Sequence, residues 1–563
     1  MKLDFFNIDT TKDALKLLHR LLSLLVPRLV LILFLTLSVG ACREHRLVAV
    51  ESDTDTAIAY GDTIIMGTIG DATNLLAPLA SDASSSAIIG HVYNGLIRYD
   101  KDMQFEGDLA ESWDVSADGR EITFHLRRGV TWHDGEPFTA ADVMFTYRLM
   151  IDPKTPTAYA DRYKQVEHAS APDPYTFKVR YAEPLAPALV SWAMGICPAH
   201  LLEGEDITTS PLARNPIGTG PFRFVKWEPG EKIVLERNED YFGGAPYVKR
   251  VVYRIVPDTT TMFLELQSGG LDYMGLTPLQ YARQTDSPAF MRRFNKFRYP
   301  AFVYTYMGYN LRKPMFQDKR VRQAISYAID KQEIVDGVLL GLGQPATGPY
   351  KPGSWPYNPE VQSYSYAPDK ARALLDAAGW EITGTDKVRQ KEGEKLAFTI
   401  VTNQGNDQRI KAGEIIQRRL QEVGIEVKLR VIEWASFLKE FIHPGNFDAT
   451  ILGWTIPVDP DGYNIWHSSK TGAQELNFIA YRNPVVDELL EQGRRVIDIE
   501  QRKPIYDRLQ QILADDVPYT FLYVPDSLPV VARRFHGIEE APAGIMHNFE
   551  KWYVPQSQQK YKR

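Results

Sequence analysis

The stretch 409–434 constrains the fold more than any other part of the sequence, because a helix pattern there runs directly into a strand pattern. Apolar residues recur on one helical face from Ile416 to Val423, and Gly424 fits the end of that helix. Across 425–431, apolar and charged residues alternate with the period of a half-buried strand. A helix that leads into a strand in this way predicts a mixed α/β sheet in this half of the chain.

Three further segments fit the same class. Residues 121–130, EITFHLRRGV, alternate as a strand does. Thr139 is a good helix N-cap, and Asp142 three residues later completes the pattern of a capping box. Pro368 and Gly379 fit the first turn and the end of a short amphipathic helix. The chain is therefore predicted to be α/β.

The length and composition narrow the class of protein. A chain of 563 residues is too long for one compact core, so we expect two or three domains. The net charge is −7 and no long basic run occurs, which argues against a nucleic-acid surface. The two cysteines, Cys42 and Cys197, provide neither a disulfide framework nor a thiolate metal site if Cys42 is used for processing.

The N-terminal region indicates export and lipid anchoring. An apolar run, Leu29–Val39, has the length of a signal-peptide core and is too short to span a bilayer. Small residues then precede Cys42, and this pattern resembles the lipobox of bacterial lipoproteins. We therefore expect a signal peptide over 1–41, a lipidated Cys42, a flexible tether over 42–62 and an extracytoplasmic location. The alternative is a buried N-terminal helix that happens to end in cysteine.

One long segment carries a family resemblance. Residues 116–150, SADGREITFHLRRGVTWHDGEPFTAADVMFTYRLM, closely resemble the signature of the oligopeptide/dipeptide family of extracellular solute-binding proteins, which serve ATP-driven importers. Further blocks resemble the same family in the same order, at 93–100, 215–244, 318–335, 366–380 and 453–468. The resemblance covers essentially the whole chain after the tether.

The resemblance implies an architecture and a set of partners. We expect a two-lobed periplasmic-binding-protein-like fold, with a first lobe over 63–305 that includes an extra subdomain, a second lobe over 306–515, and a return to the first lobe over 516–563. Two hinge crossings are expected, near 302–310 and 519–525. The implied partners are a small peptide or other small solute and the permease and ATPase of an importer, with the protein a monomer. An oligosaccharide, a metal chelate or another nutrient stays open as the ligand.

The resemblance also implies where the second lobe contacts ligand, beginning at Gly453 and Trp454. Many peptide-binding relatives place an aspartate three residues after this tryptophan to pair with the α-amino group of the ligand, but here that position is Pro457. Asp459 and Asp461 are the nearest carboxylates and could substitute. The segment DPDGY could equally be a turn.

The remaining candidates are weaker. Tyr463 closes the DPDGY segment and joins the candidate ligand residues of the second lobe. In the first lobe, the resemblance places ligand contacts at Ser81, Asp82 and Ala83.

The sequence contains none of three common catalytic or nucleotide-binding motifs: HExxH, GxxxxGK[ST] and GxSxG are absent. His133 and Asp134 are expected to be scaffold, as the resemblance implies. Glu433, His443 and His467 are possible metal ligands, but for His467 packing in the core or the wall of the pocket is favoured. We therefore expect no enzymatic activity, no cofactor and no metal. A structural lipoprotein is the remaining alternative.

Overall fold

The computed structural model describes residues 57–385 and 387–561. The predicted signal peptide, Cys42 and most of the predicted tether lie outside these residues. From residue 58 onward, the described residues form one compact unit, and the strands begin at Gly61, two residues before the expected start of the first lobe.

A seven-stranded mixed sheet forms the core of the first lobe, in the order β12-β23-β11-β1-β10-β9-β8. Its strands are β1 (Gly61–Thr68), β8 (Phe222–Glu228), β9 (Lys232–Arg237), β10 (Val248–Ile255), β11 (Tyr273–Gly275), β12 (Phe294–Lys296) and β23 (Pro529–Ala532). Strand β1 pairs in parallel with β10 and β11, whereas the other neighbours are antiparallel.

The extra subdomain is built on a separate four-stranded antiparallel sheet, in the order β4-β5-β7-β6. Its strands are β4 (Ala110–Val115), β5 (Glu121–Leu126), β6 (Val166–Asp173) and β7 (Thr176–Tyr181), and the small hairpin β2 (Ile97–Tyr99) and β3 (Phe105–Gly107) precedes it. Ile122, Phe124 and Leu126 of β5 are all buried, which confirms the alternation seen in the sequence.

The second lobe contains another mixed sheet, in the order β13-β22-β14-β21-β19-β20, with β15 paired to β22. Its strands are β13 (Tyr299–Pro300), β14 (Val303–Tyr309), β15 (Gly343–Pro345), β19 (Ala397–Asn403), β20 (Glu426–Ile432), β21 (Ala449–Thr455) and β22 (Tyr519–Ser527). A small sheet of β16 (Glu381–Ile382), β17 (Arg389–Lys391) and β18 (Glu394–Lys395) lies beside it in sequence.

The helices alternate with these strands. They are α1 (Ala83–Val92), α2 (Ala140–Ile151), α3 (Ala160–Lys164), α4 (Ala188–Ser191), α5 (Ala199–Leu202), α6 (Thr259–Ser268), α7 (Pro288–Met291), α8 (Pro314–Gln317), α9 (Lys319–Ala328), α10 (Lys331–Gly337), α11 (Pro368–Ala377), α12 (Asp407–Gln421), α13 (Trp434–Ser436), α14 (Tyr463–Trp466), α15 (Pro484–Arg495) and α16 (Ile499–Asp516). Shorter π or 3-10 turns occur at Pro211–Ala213, Gln280–Gln284, Phe437–Ile442, Ser468–Lys470, Ile545–Lys551 and Gln556–Gln558.

The chain passes between the two large sheets twice. It leaves the first sheet after β12 and enters the second at β13, and it returns through Leu528 between β22 and β23. The tyrosine-rich crossing segments are thus strands of the second sheet themselves, and the strands of that sheet lie between residues 299 and 527. Arg534 in the returning segment pairs with Asp62 of β1 and with Asp272, which ties the C-terminal part to the first lobe.

Candidate functional site

Gly453 and Trp454 lie near the end of β21, beside the crossing strand β14. The indole Nε1 of Trp454 donates a hydrogen bond to the hydroxyl of Tyr519 on β22, at 3.2 Å. A Cβ atom at position 453 would lie 2.7 Å from Arg409 Nη2 and 3.0 Å from the carbonyl oxygen of Tyr304. Only glycine leaves room for the guanidinium and the backbone at this point.

Arg409 belongs to this site, and the sequence analysis did not single it out. It is the third residue of α12, whose N-cap Asn406 accepts a hydrogen bond from the Arg409 backbone N–H at 3.0 Å. Its Nη1 donates to the side-chain oxygen of Asn403 at 2.9 Å. Its Nε is buried and has no hydrogen-bond partner within the described part of the chain. Burial lowers the pKa of Arg409, and the neighbouring phenols of Tyr523 and Tyr306 act in the opposite direction.

Aromatic side chains are packed together on the neighbouring strands β14 and β22. The rings of Tyr306 and Tyr519 are stacked with centroids 3.8 Å apart. The hydroxyl of Tyr304 is buried without a hydrogen-bond partner among the residues described. A rigid aromatic wall of this kind offers large contact area at small entropic cost.

Asp459 and Asp461 lie in the loop after β21, and both carboxylates are held by arginines of the protein. Asp459 accepts two hydrogen bonds from Arg502, at 2.9 and 3.2 Å. Asp461 is 8% exposed and accepts from Arg494 at 2.9 Å and from Arg162 at 3.0 Å. Burial alone would raise the pKa of Asp461, but the two arginines outweigh it and hold that pKa below its usual range.

The backbone of the same loop has the form of a turn. The N–H of Asp461 donates to the carboxylate of Asp459 at 3.0 Å, and the N–H of Tyr463 donates to that of Asp461 at 3.2 Å. The ring of Tyr463 stacks on His467 at 4.1 Å, and the Arg494 guanidinium lies 3.7 Å above it. These contacts favour the turn interpretation of DPDGY. A ligand role for the loop stays a prediction.

The first-lobe candidates lie at the start of α1. Asp82 is the N-cap of this helix, and it accepts hydrogen bonds from the hydroxyls of Thr73 and Ser85, both at 2.6 Å. Ser81 is partly buried and Ala83 is exposed. The Asp82 carboxylate is therefore engaged locally, and Ala83 is the candidate that presents free surface.

Two cavities follow the face of the first lobe. One of about 220 Å³ is lined by residues that include Ala83, Ser84 and Tyr253. The other, of about 340 Å³, is lined by Thr259 and Met262 of the first lobe and by residues 405–408 of the second. The two cavities share Thr68 and Ile69. Together they define a candidate cleft between the lobes.

Contacts between the lobes frame this cleft. The hydroxyl of Thr259 donates to the carboxylate of Asp407 at 2.5 Å. Trp434 Nε1 of the second lobe lies 3.5 Å from the Asp82 carboxylate of the first. The lobes are thus closed on each other at this edge.

The extra subdomain also contacts the second lobe. Arg162 pairs with Asp461 across the lobes, and Asp161 pairs with Lys470. The backbone N–H of Ala186 donates to the carbonyl of Arg494 at 2.7 Å. Because Asp461 also pairs with an arginine of its own lobe, Arg162 adds a closing contact to a pair that is already formed.

Of the residues considered as metal ligands, His467 and Glu433 have local partners, whereas Nδ1 of His443 is buried without a hydrogen-bond partner among the described residues. His133 is buried between backbone groups of Gly218 and Gly220, and burial lowers its pKa to about 4. His467 Nδ1 lies 2.8 Å from the Ser469 hydroxyl, and Glu433 caps α13. No group of three or more His, Cys, Asp or Glu residues across 57–385 and 387–561 could hold a metal ion. In the same range, no helix has the length and apolar character needed to cross a membrane.

Two lobes that are joined by two strand crossings and meet over a cleft form the architecture in which periplasmic binding proteins close around their ligands. The family model for bacterial extracellular solute-binding proteins, family 5 Middle, matches residues 104–475. The chain belongs to this family.

Individual relatives extend the comparison. The chain is 32% identical over 506 residues to the oligopeptide-binding protein AppA of Bacillus subtilis, covering 88% of this chain and 92% of AppA. The solved structure of AppA with a nonapeptide matches with a TM-score of 0.84 at 31% identity, over 88% of this chain and 100% of that one. NikZ from Campylobacter jejuni, solved with Ni(L-His), matches with a TM-score of 0.80 at 28% identity, over 87% of this chain and 99% of that one.

Proposed function

We propose that this protein is the extracytoplasmic substrate-binding component of an ABC-type importer and that it captures oligopeptides or dipeptides by closure of its lobes. The observation that carries the proposal is the likeness, over nearly the full described chain, to a protein solved with a nonapeptide in place. The cleft supports it, because it is lined by Thr68, Ala83 and Tyr253 of the first lobe and by residues 405–408 of the second. Main-chain hydrogen bonds to such a cleft hold a peptide with little sequence preference.

A second candidate ligand is a small metal chelate, and the likeness to NikZ with Ni(L-His) favours it. In that case the chelating molecule supplies the metal ligands, and the cleft contacts the outer surface of the metal complex. The transport role is the same for both ligands.

The remaining parts of the proposal concern location and partners. The protein is held to a membrane by lipid on Cys42 after removal of residues 1–41. It delivers its ligand, as a monomer, to the permease and ATPase of the importer, and it catalyses no reaction. The apolar run Leu29–Val39 before the cysteine and the family membership support this assignment.

Mass spectrometry of the ligand that co-purifies with the protein tests the proposal. A population of short peptides is expected, and calorimetry with the same synthetic peptides is expected to give saturable binding. Trp454→Ala is expected to weaken that binding, whereas Trp113→Ala, in the sheet of the extra subdomain, is the matched control and is expected to leave it unchanged. Recovery of a nickel or iron chelate and no peptide would replace the peptide assignment by the second candidate.

A further inference from the structure

The candidate cleft lies at one end of the first-lobe sheet. The larger cavity is lined by residues 67–69 at the end of β1 and by residues 275–277 at the end of β11. These two strands are parallel, so both run toward the cleft. The opposite end of the sheet is the one where the chain enters β1 at Gly61. The surface there is separate from the ligand cavities.

Basic residues collect at this opposite end. Arg293 directly precedes β12 and Arg533 directly follows β23, and the two strands are antiparallel neighbours. The backbone N–H of Arg533 donates to the carbonyl oxygen of Arg293 at 2.7 Å. Lys560 reaches the same place, since a Cβ atom on Gly269 would lie 3.7 Å from Arg293 Nη2 and 3.9 Å from Lys560 Nζ. We call the surface formed by Arg292, Arg293, Arg533 and Lys560 the basic end of the first lobe.

The arginines of the basic end are not neutralised by carboxylates. Arg293 Nη1 donates to the carbonyl oxygen of Gln267 at 2.7 Å. Arg533 Nη1 donates to the carbonyl oxygen of Met291 at 2.9 Å. Both guanidinium groups are exposed, as is Arg292, and none of the three forms an ion pair within the part of the chain that the structure describes.

The carboxylates nearest to the basic end are used inside the fold. Asp62 and Asp272 are buried, and both pair with Arg534. Lys560 Nζ lies 3.4 Å from Asp272, although the lysine itself is exposed. The surface therefore carries an excess of positive charge, even though the whole chain has a net charge of −7. A local basic surface on an acidic protein attracts anions at that surface only.

Exposed aromatic and apolar side chains lie beside these cations. Tyr561 is exposed, and its backbone N–H donates to the Asp62 carboxylate at 3.0 Å. Tyr60 is exposed one residue before β1, and its carbonyl oxygen accepts from Gln559 Nε2 at 3.2 Å. Met291 is exposed as well. Tyrosine rings are favoured at the interface between a membrane and water, because they are amphipathic.

We propose that the basic end of the first lobe docks on an anionic lipid surface, the headgroups of the membrane to which the protein is anchored. The inference rests on the lipid-anchored location in the proposed function, and it adds the face that the folded body turns toward the lipid. The start of β1 is the part of that body closest to Cys42 along the chain, within about 65 Å at full extension. Lysines and arginines within a Debye length of an anionic surface strengthen binding to it. Docking in this way leaves the cleft in the aqueous phase.

The test uses the Cys42→Ser protein, which is expected to carry no lipid, so that binding reports the protein surface alone. It is expected to sediment with vesicles of phosphatidylcholine and phosphatidylglycerol at low salt, and not with vesicles of phosphatidylcholine. Arg293→Gln combined with Lys560→Gln is expected to weaken this binding by about tenfold or more, because each charge near the surface contributes about fivefold. Lys411→Gln combined with Lys428→Gln, at two exposed lysines of the second lobe, makes the same change in net charge and is expected to leave the binding unchanged.

A fluorophore that responds to its surroundings tests the orientation. Attached to Tyr561→Cys, it is expected to shift to shorter wavelength on the anionic vesicles, whereas on Lys428→Cys no shift is expected. The native Cys197 is buried and does not compete for the label. Equal weakening by the two pairs of substitutions, or equal shifts at the two labelled positions, would overturn the proposal.

The docking surface and the proposed function fail separately. If peptides bind normally and the anionic vesicles do not, the docking surface is wrong and the proposed function stands. If the vesicles bind but Cys42 of the unaltered protein takes no fatty-acid label, the anchored location is wrong and the docking surface stands. Peptide calorimetry and the unfolding temperature of each variant show that a loss of vesicle binding does not come from misfolding.

Discussion

At the scale of single residues, the charged groups of the second lobe differ in how they are paired. Asp459 and Asp461 stand where the sequence places a candidate ammonium anchor, yet each is tied to an arginine by two hydrogen bonds. Their contacts stabilise the loop after β21. Arg409, by contrast, brings a buried charge whose Nε has no partner in the described chain.

Asp461→Asn is expected to lower the free energy of unfolding by about 3–5 kcal/mol, because it leaves the buried guanidinium of Arg494 and the partly buried one of Arg162 without their anion. The folded-state pKa of Asp461 is below that of an unfolded aspartate, so the ionised carboxylate stabilises the fold. That contribution is complete above about pH 4 and is lost progressively as the pH falls below it. Urea unfolding of both proteins at about pH 7 and about pH 3 measures the difference.

Asp102→Asn, an exposed aspartate of the first lobe, is the control for that experiment and is expected to change stability little. The difference in the free energy of unfolding between the unaltered protein and Asp461→Asn should shrink as the pH falls. If it stays constant down to low pH, the effect does not come from the ionised Asp461.

At the scale of elements, the capping box at the start of helix α2 both caps the helix and connects it to a second helix. Thr139 and Asp142 exchange side-chain-to-backbone hydrogen bonds in a capping box, as the sequence predicts. The Asp142 carboxylate also accepts from the backbone N–H of Ala199, so the cap joins α2 to α5.

Thr139→Ala is expected to destabilise the protein by about 1–2 kcal/mol, because one backbone N–H at the start of α2 loses its acceptor. The loss is measured by denaturant unfolding. Thr139→Ser, which keeps the hydroxyl, is the matched control and is expected to stay within a few tenths of a kcal/mol of the original. If the alanine and serine variants proved equally stable, the cap would not contribute as described.

The same elements show what the sequence could and could not predict. The helix ends at Gly379 and Gly424 were predictable, because helices commonly end at a glycine with positive φ and a glycine is visible in the sequence. Both residues adopt a positive φ. No sequence pattern marked Arg409 as a buried residue, because a charged residue in the first turn of a helix normally faces solvent. Only the parallel pairing of β19 with β21 brings Asn403, next to α12, close to Gly453. Such neighbours are set by the order of strands, which local periodicity does not encode.

At the scale of the whole molecule, the predicted lipid anchor determines where the cleft operates. Cys42→Ser is expected to release the protein in soluble form and to abolish labelling with a radioactive fatty acid. One acyl chain gives only reversible attachment, whereas the diacyl or triacyl form holds a protein durably. Cys197→Ser, at a buried cysteine, is the control and is expected to keep the label. A Cys42→Ser variant that stays in the membrane fraction would contradict the lipobox.

Closure of the lobes is governed by contacts such as that between Arg162 and Asp461. Because Asp461 keeps Arg494 as a partner, Arg162→Gln removes a contact made across the lobes and leaves the second lobe intact. The variant is therefore expected to populate the open form more, with a larger radius of gyration in small-angle scattering without ligand. Its ligand affinity is expected to fall by about tenfold, because binding must then supply the closing free energy that the contact no longer gives. Arg180→Gln, whose ion pairs lie within the sheet of the extra subdomain, is expected to change neither quantity. An unchanged radius and an unchanged affinity in Arg162→Gln would show that this pair does not contribute to closure.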